Sequence, residues 1–375
     1  MKVGWQAKPF DDCIEKVKYT TKIQRKDFLG AGGYPVVSQE DAFINGYWDE
    51  ADDLFRLETP LVVFGDHTKT LKYIDFDFVL GADGVKLLQP KEFLVPKFFY
   101  YQLQTANLDS LGYARHYKLL KELEIKYPDR VEQQRIVALL DKAFDGIATA
   151  KANAEKNRQN ARALFESHLQ SVFTERGGGW VDRQLASLCR EITVGHVGPM
   201  KTEYKETGVP FLRSQNIRPF EISMDNAMFI DEAFHRTLKK SQLRPGDLAI
   251  VRTGYPGTAA VIPPELPDSN CSDLVIVRPS EEVNPHFLAA FFNSAFGKQL
   301  VLGKIVGAAQ KHFNITAAKE VMLHVPPVPE QKKIIRIVDS LRTETQRLES
   351  LYQQKLAALD ALKKSLLHQA FSGVL

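Results

Sequence analysis

The stretch Glu132-Gln133-Gln134-Arg135-Ile136 decides the fold, because it returns as Glu330-Gln331-Lys332-Lys333-Ile334. The displacement is 198 residues and holds without a gap from Pro128 to Phe173. In that register Pro128 meets Pro326, Asp141 meets Asp339 and Leu164 meets Leu362, while Ser167, Leu169 and Phe173 meet Ser365, Leu367 and Phe371. Chance does not give that many identities in so short a window, so the chain is read as a duplicated unit. A second register, 175 apart, joins the segments upstream. Trp5 falls on Trp180, Gly33 on Gly208 and Pro35 on Pro210, with Phe10, Val17 and Val36 opposite Leu185, Ile192 and Phe211. The second copy is therefore 23 residues longer between Pro210 and its repeated segment. The order is globular, helix, globular, helix.

Each repeated segment reads as a long helix. From Ile136 the apolar positions step to Leu140, Ala143, Ile147, Ala150, Ala154, Ala161 and Leu164; the second copy gives Ile334, Val338, Leu341, Leu348, Tyr352, Leu359, Leu362 and Leu366. A 3.5-residue seam argues for coiled-coil packing, and about 40 helical residues span roughly 60 Å. The first seam is rich in Ala and the second in Leu and Tyr, and small against large suits two helices packed on each other. Asn157, His168, Thr345 and Lys355 interrupt the seams, either fixing the register or marking where it frays. Pro128 and Pro326-Pro327-Val328-Pro329 lead into the helix starts, and Arg176-Gly177-Gly178-Gly179 ends the first helix. The globular parts carry strand patterns at 61–64, 76–80, 247–251 and 273–277 and short helices at 98–103 and 287–292, an α+β composition.

At 375 residues, with 44% hydrophobic and 25% charged positions, the chain suits two folded domains. Lys and Arg number 49 against 46 Asp and Glu, so any nucleic-acid footprint must come from local patches. Cys13, Cys189 and Cys271 form no CxxC pair, which argues against a zinc site or disulfide framework and fits a reducing cytoplasm. No signal core and no run near 18 apolar residues is present, so secreted and membrane classes are not expected.

Enzyme signatures fail. Asn284-Pro285-His286-Phe287 approaches the loop of an adenine methyltransferase, but its internal counterpart Val95-Pro96-Lys97-Phe98 lacks the Asn, and proline opening a helix explains both. Gly30-Ala31-Gly32-Gly33 lacks the lysine and hydroxyl of a phosphate loop, and Pro128-Asp129 lacks the lysine of a metal-dependent nuclease. No catalytic or metal-binding residue is expected.

Base reading needs side chains that donate and accept at base edges, flanked by phosphate contacts. In the first globular part the candidates are Ser38 and Gln39, and Asp66, His67, Thr68 and Lys69; in the second they are Arg213, Ser214, Gln215 and Asn216, and Arg252, Thr253 and Tyr255. Arg115-His116-Tyr117 and Lys311-His312-Phe313 stand at matching points before the helices, either to approach DNA or to anchor the loop. Phosphate candidates are Lys16, Lys18, Lys22, Arg25 and Lys26, a run without an acid, and Lys201 with Lys205. For each of these the competing reading is a solvated loop or face.

The EQQRIV and PPVPEQKKI segments, with GGYPVVSQ and FGDHTK in the first half and VPFLRSQNI and GDLAIVRTGYPG in the second, resemble the specificity subunit of type I restriction–modification systems. The resemblance covers essentially the whole chain. It implies target-recognition domains at 1–128 and 177–327, separated by conserved long helices at 129–176 and 328–375 that pack antiparallel in a coiled-coil-like pair, with a pseudo-two-fold internal repeat. It further implies a cytoplasmic prokaryotic subunit without catalysis of its own, which reads a bipartite asymmetric sequence in double-stranded DNA. Two methyltransferase subunits using S-adenosylmethionine would dock on the helices, and restriction subunits using ATP and Mg²⁺ would join them. The expected seam residues are Ile136, Leu140, Ile147, Asn157 and Leu164 against Val338, Leu341, Tyr352, Leu359 and Leu366. The competing classes are a coiled-coil scaffold with protein-binding ends and an autonomous modification or nuclease enzyme.

Overall fold

The two repeated segments are single helices of 45 residues each, Arg130–Thr174 and Val328–Ser372, about 67 Å long. The computed structural model describes residues 4–82, 84–106, 108, 115–175, 177–304 and 312–372. The chain divides into two units, residues 1–155 with 354–375, and residues 156–353. Each unit thus takes the start of one long helix and the end of the other.

The Glu-Gln motif explains how each helix is joined to its globular part. Gln133 is fully buried. Its Oε1 accepts from the Val95 N–H at 2.7 Å, and its Nε2 donates to the carbonyls of Phe93 (2.9 Å) and Pro128 (3.0 Å). Gln331 does the same in the second unit, accepting from the Asn284 N–H at 2.7 Å and donating to Glu282 (3.1 Å) and Pro326 (2.9 Å). One buried amide satisfies three backbone groups that the loop before the short helix and the turn into the long helix would otherwise leave unpaired. The short helices, Pro96–Leu103 and Pro285–Asn293, begin with proline as expected, and Asn284 is an N-cap whose Oδ1 accepts from the His286 N–H.

In the first unit Gln6–Pro9 pairs antiparallel with Glu124–Tyr127 beside the helix start. A four-stranded antiparallel sheet runs Ile14–Glu15, Val85–Pro90, Leu61–Gly65, Leu71–Ile74. A second, mixed sheet joins Lys22–Ile23, Phe78–Gly81, Tyr34–Val37 and Gly46–Trp48, with Leu54–Phe55 also paired, antiparallel, to Phe78–Gly81. The second unit repeats the plan: Val181–Gln184 with Met322–Val325; a sheet of Cys189–Val194, Leu274–Pro279, Leu248–Val251 and Ala259–Val261; and a mixed sheet with Val209–Leu212 parallel to Ser269–Cys271. The longer second copy places a small hairpin, Ile217–Arg218 with Glu221–Ile222, and a helix, Glu232–Thr237, after Pro210. The architecture is α+β in both units.

Each unit closes its core with both helices. In the first, Ile136 and Leu140 share a core with Phe98, Leu367 and Ala370, and Lys151 pairs with Asp360 at 2.7 Å. In the second, Leu169 and Phe173 share a core with Phe287, Ile335 and Val338, and Arg162 pairs with Glu349 at 2.8 Å. In both, one helix ascends in number as the other descends, so the helices pack antiparallel.

The seam departs from the expected one at its centre. Ile136, Leu140, Ile147 and Val338 are buried and Leu341, Tyr352, Leu359 and Leu366 half-buried, but Asn157 is exposed and Leu164 is 70% exposed. The inward stripe runs 147, 150, 154, 158, 161, 165, taking two steps of four in succession, and the second helix slips at the equivalent place, 352 to 356. A straight helix has 3.6 residues per turn, so a strict 3.5 seam drifts off its face and one extra residue restores it. Phe165 and Lys363 therefore occupy the positions expected for Leu164 and Leu362.

Candidate nucleic-acid interface

The candidate segments, far apart in sequence, converge within each unit. In the first, the turn between Leu61–Gly65 and Leu71–Ile74 carries Asp66 to Lys69, and it meets the segment after Val37: the Thr68 hydroxyl donates to the Gln39 carbonyl at 2.6 Å and the His67 N–H to Gln39 Oε1 at 3.3 Å. Lys69 takes a left-handed backbone, φ 62°, which closes the turn, and its ammonium reaches the Leu108 carbonyl at 3.4 Å. Gly84, at φ +69°, lies against Gln39 and His67 with no room for a side chain. From the third segment, the His116 N–H donates to the Asp66 carbonyl (2.8 Å) and the Tyr117 N–H to the Asp66 carboxylate (2.7 Å).

In the second unit the hinge is Asp273, a residue the sequence reading passed over. Its carboxylate accepts from the hydroxyls of Ser214 (3.2 Å) and Thr253, tying the two candidate loops together. Its backbone is left-handed, φ 57°, a conformation that Asp tolerates. Arg213 reaches the Asn226 carbonyl at 2.8 Å and Gln215 reaches it at 3.4 Å. Arg252 exchanges hydrogen bonds with Phe313: its carbonyl accepts from the Phe313 N–H at 3.2 Å and its Nε donates to the Phe313 carbonyl at 3.3 Å. The same three segments thus meet in both units.

Geometry sorts the candidates. Ser38, Asp66, His116 and Asn216 are buried and do not face solvent, which corrects their reading as base contacts. Asn216 accepts from the Arg213 N–H and donates to Ser223 and Asp225, a loop brace. His116 and Asp66 anchor the loop to its helix, the other reading offered for the basic–His–aromatic triplet. Ser214 and Thr253 spend their hydroxyls on Asp273. Left at the surface are Gln39, His67, Thr68, Lys69 and Arg115 in the first unit, and Gln215, Arg252, His312 and Tyr255 in the second. Tyr255 is 84% exposed between Gly254 and Pro256, at the tip of its hairpin. Lys311 lies outside the described residues.

The phosphate candidates are all exposed. Arg25 stands 3.9 Å from Glu40, next to Gln39, which puts it beside the first cluster. Lys22 lies 4.7 Å over the Tyr19 ring, Lys26 is on the same surface turn as Arg25, and Lys205 is 3.9 Å from Asp231. Lys16 and Lys18 instead border a cavity of about 690 Å³ with Arg56, Lys91 and Arg130. Among the described residues no group of three or more His, Cys, Asp or Glu side chains is placed to hold a metal ion, and no helix is long and apolar enough to cross a membrane. Burial pushes the Cys13 thiol up to about 11 and the Cys189 thiol to about 12.

The family model for the type I restriction modification DNA specificity domain matches residues 2–157 and 179–357, one match in each half. The chain belongs to this family. It is 24% identical to the EcoR124I/EcoR124II type I specificity subunit of Escherichia coli, over 88% of this chain and 85% of that one. It is also 24% identical to the EcoKI specificity subunit of Escherichia coli strain K12, over 99% and 89%. Two solved structures share the fold at 16% identity: a chain from a study of complex assembly and conformational transition of the type I R-M system (TM-score 0.75, 98% of both chains), and the HsdS subunit of Thermoanaerobacter tengcongensis (TM-score 0.58, 100% and 98%). As a specificity-family member the chain recognises sequence rather than performing the chemistry, and the scaffold alternative is not favoured.

Proposed function

We propose that this chain reads a split, asymmetric DNA target, one half with each unit, and that the long helices set the gap between the halves. The convergence of three segments in each unit carries this reading, because it yields two surfaces of the same construction and different chemistry. The first presents Gln39, His67, Thr68 and Lys69; the second Gln215, Arg252 and Tyr255. Gln suits adenine and Arg suits guanine, while an exposed aromatic suits a thymine methyl or a base face.

Two methyltransferase subunits, which transfer a methyl group from S-adenosylmethionine, dock on the helices, and ATP- and Mg²⁺-dependent restriction subunits join them in the cytoplasm. What supports two copies of one partner is a pair of duplicated exposures. Leu139 and Leu362 are exposed in the first unit, and their repeat equivalents Ile337 and Leu164 are exposed in the second. The same apolar residues left outside the core twice favour the same partner bound twice. The test is to sequence methylated adenines in DNA from cells that co-express this chain with its methyltransferase. A split asymmetric motif is expected; a contiguous motif, or none, refutes the reading.

A further inference from the structure

The first cluster rests on a buried amine to which the family assignment gives no role. Lys72 lies within Leu71–Ile74 at 3% exposure, opposite Val63 in the sheet. Its ammonium donates to the Ser38 carbonyl (2.8 Å), to the Ala42 carbonyl and to Asn45 Oδ1 (2.9 Å). An ammonium has three donors and no acceptor, so all three protons go to one segment, residues 38–45. The same Asn45 oxygen accepts from the Ser38 N–H at 2.8 Å, and the Asn45 N–H donates to Val36 at 2.8 Å, which closes the segment on itself. Gln39, through which the segment meets the hairpin tip, lies between these ties.

A lysine in this place is costly. Burial pushes it down to about 8, and only Glu40 and Asp41 of the same segment pull it back. The neighbouring strand Leu61–Gly65 holds no charged residue. A hydrophobic residue would satisfy the sheet at less cost. Among the described residues no lysine of the second unit is buried in this way, and its loops are tied by the Asp273 carboxylate.

We propose that Lys72 is a positioning residue for the first half-site, holding residues 38–45 so that Gln39 and the hairpin tip meet DNA in one arrangement. The inference rests on the split-target reading.

The experiment uses the full chain assembled with its methyltransferase subunits, and duplexes carrying the methylated motif with neither half, the first half or the second half scrambled. Tyr255→Ala marks which half belongs to the second unit. Lys72→Met should cut discrimination at the other half about tenfold or more and leave the second unit's half as in the parent. Asn45→Ala, which removes the shared acceptor without touching the sheet, should do the same, and Asn45→Asp, which keeps that oxygen, should retain discrimination. Parental discrimination at the first half in Lys72→Met, or equal loss at both halves, overturns the proposal while leaving the split-target reading intact. A parent complex that discriminates at neither half overturns that reading and the inference with it.

Discussion

Replacing Gln331 by leucine tests whether one buried amide joins helix to domain. The change keeps the side chain's bulk and deletes its polarity. Three groups lose their partner: the Asn284 N–H and the Glu282 and Pro326 carbonyls. A buried polar group left unpaired costs about 1–3 kcal/mol, and a carbonyl falls toward the lower end, so the sum is about 3–6 kcal/mol. That is a large share of the roughly 5–15 kcal/mol that holds a domain folded. Trp180 is the reporter, since its indole N–H donates to the Glu330 carboxylate at 3.0 Å, one residue from the change. In a Trp5→Phe/Trp48→Phe background it is the sole tryptophan. With a urea slope of about 2–3 kcal/mol per molar, the midpoint of its emission change should fall by about 1–3 M with the slope unchanged. Gln331→Glu keeps the shape but turns a carboxylate toward two carbonyls. It should be worse than leucine at pH 7 and recover as the pH falls, because only the protonated acid can donate a hydrogen bond. Its carboxyl is raised above its unfolded value, so stability is highest below the unfolded value and lost as the pH rises. A leucine variant within about 0.3 M of the parent would refute the reasoning, and with it the parallel account of Gln133.

Leu164→Ser and Leu362→Ser should each leave thermal stability within about 0.5 kcal/mol of the parent, as outward positions do, yet weaken co-purification with the methyltransferase about tenfold or more; unchanged capture would remove these leucines from the docking surface. Tyr255→Ala should leave the melting temperature unchanged and lower affinity for the methylated motif by about 1–3 kcal/mol in binding titrations, with no change if the ring stays clear of DNA. Inserting four residues into both helices, after Ala154 and after Tyr352, adds about 6 Å and should lengthen the gap in the methylated motif by about two base pairs. Both helices are changed because a longer one against an unaltered antiparallel partner would buckle instead. An unchanged gap in the sequenced motif would end the ruler idea.

The duplication and both long helices were legible because they rest on repeat and period, which survive in a linear string; the antiparallel sense of the pair was only implied by the family resemblance. The loops were legible as candidates and illegible as a site. Asp66 and Asn216 look like base readers in sequence, since the residue types that pair with bases also brace turns. What separates the two uses is burial, and burial here depends on which of three distant segments closes over the side chain. Asp273 stood at the head of a strand with nothing local to mark it; its role follows from the left-handed backbone that turns its carboxylate between two loops. Lys72 did carry a signal. In Leu71-Lys72-Tyr73-Ile74 it shares a face with Ile74, and a lysine on the inward face of an alternating strand requires acceptors above it.

The misread seam bears most directly on function. At 161–165 the chain reads Ala-Arg-Ala-Leu-Phe, so Leu164 and Phe165 compete for the inward place, and periodicity cannot choose between adjacent apolar residues. Packing decides: Phe165 stacks edge-on against Phe220 at 6.2 Å, and in the first unit Lys363 lies 5.0 Å over the Phe144 ring. Both choices turn a leucine outward, at positions that coincide under the 198-residue repeat. Duplication accounts for a leucine at both positions, and the outward turn of both, despite different aromatic neighbours in the two cores, leaves an equivalent apolar side chain exposed in each unit. The docking proposed above uses this pair, one leucine in each unit, as equivalent contacts for two copies of one partner.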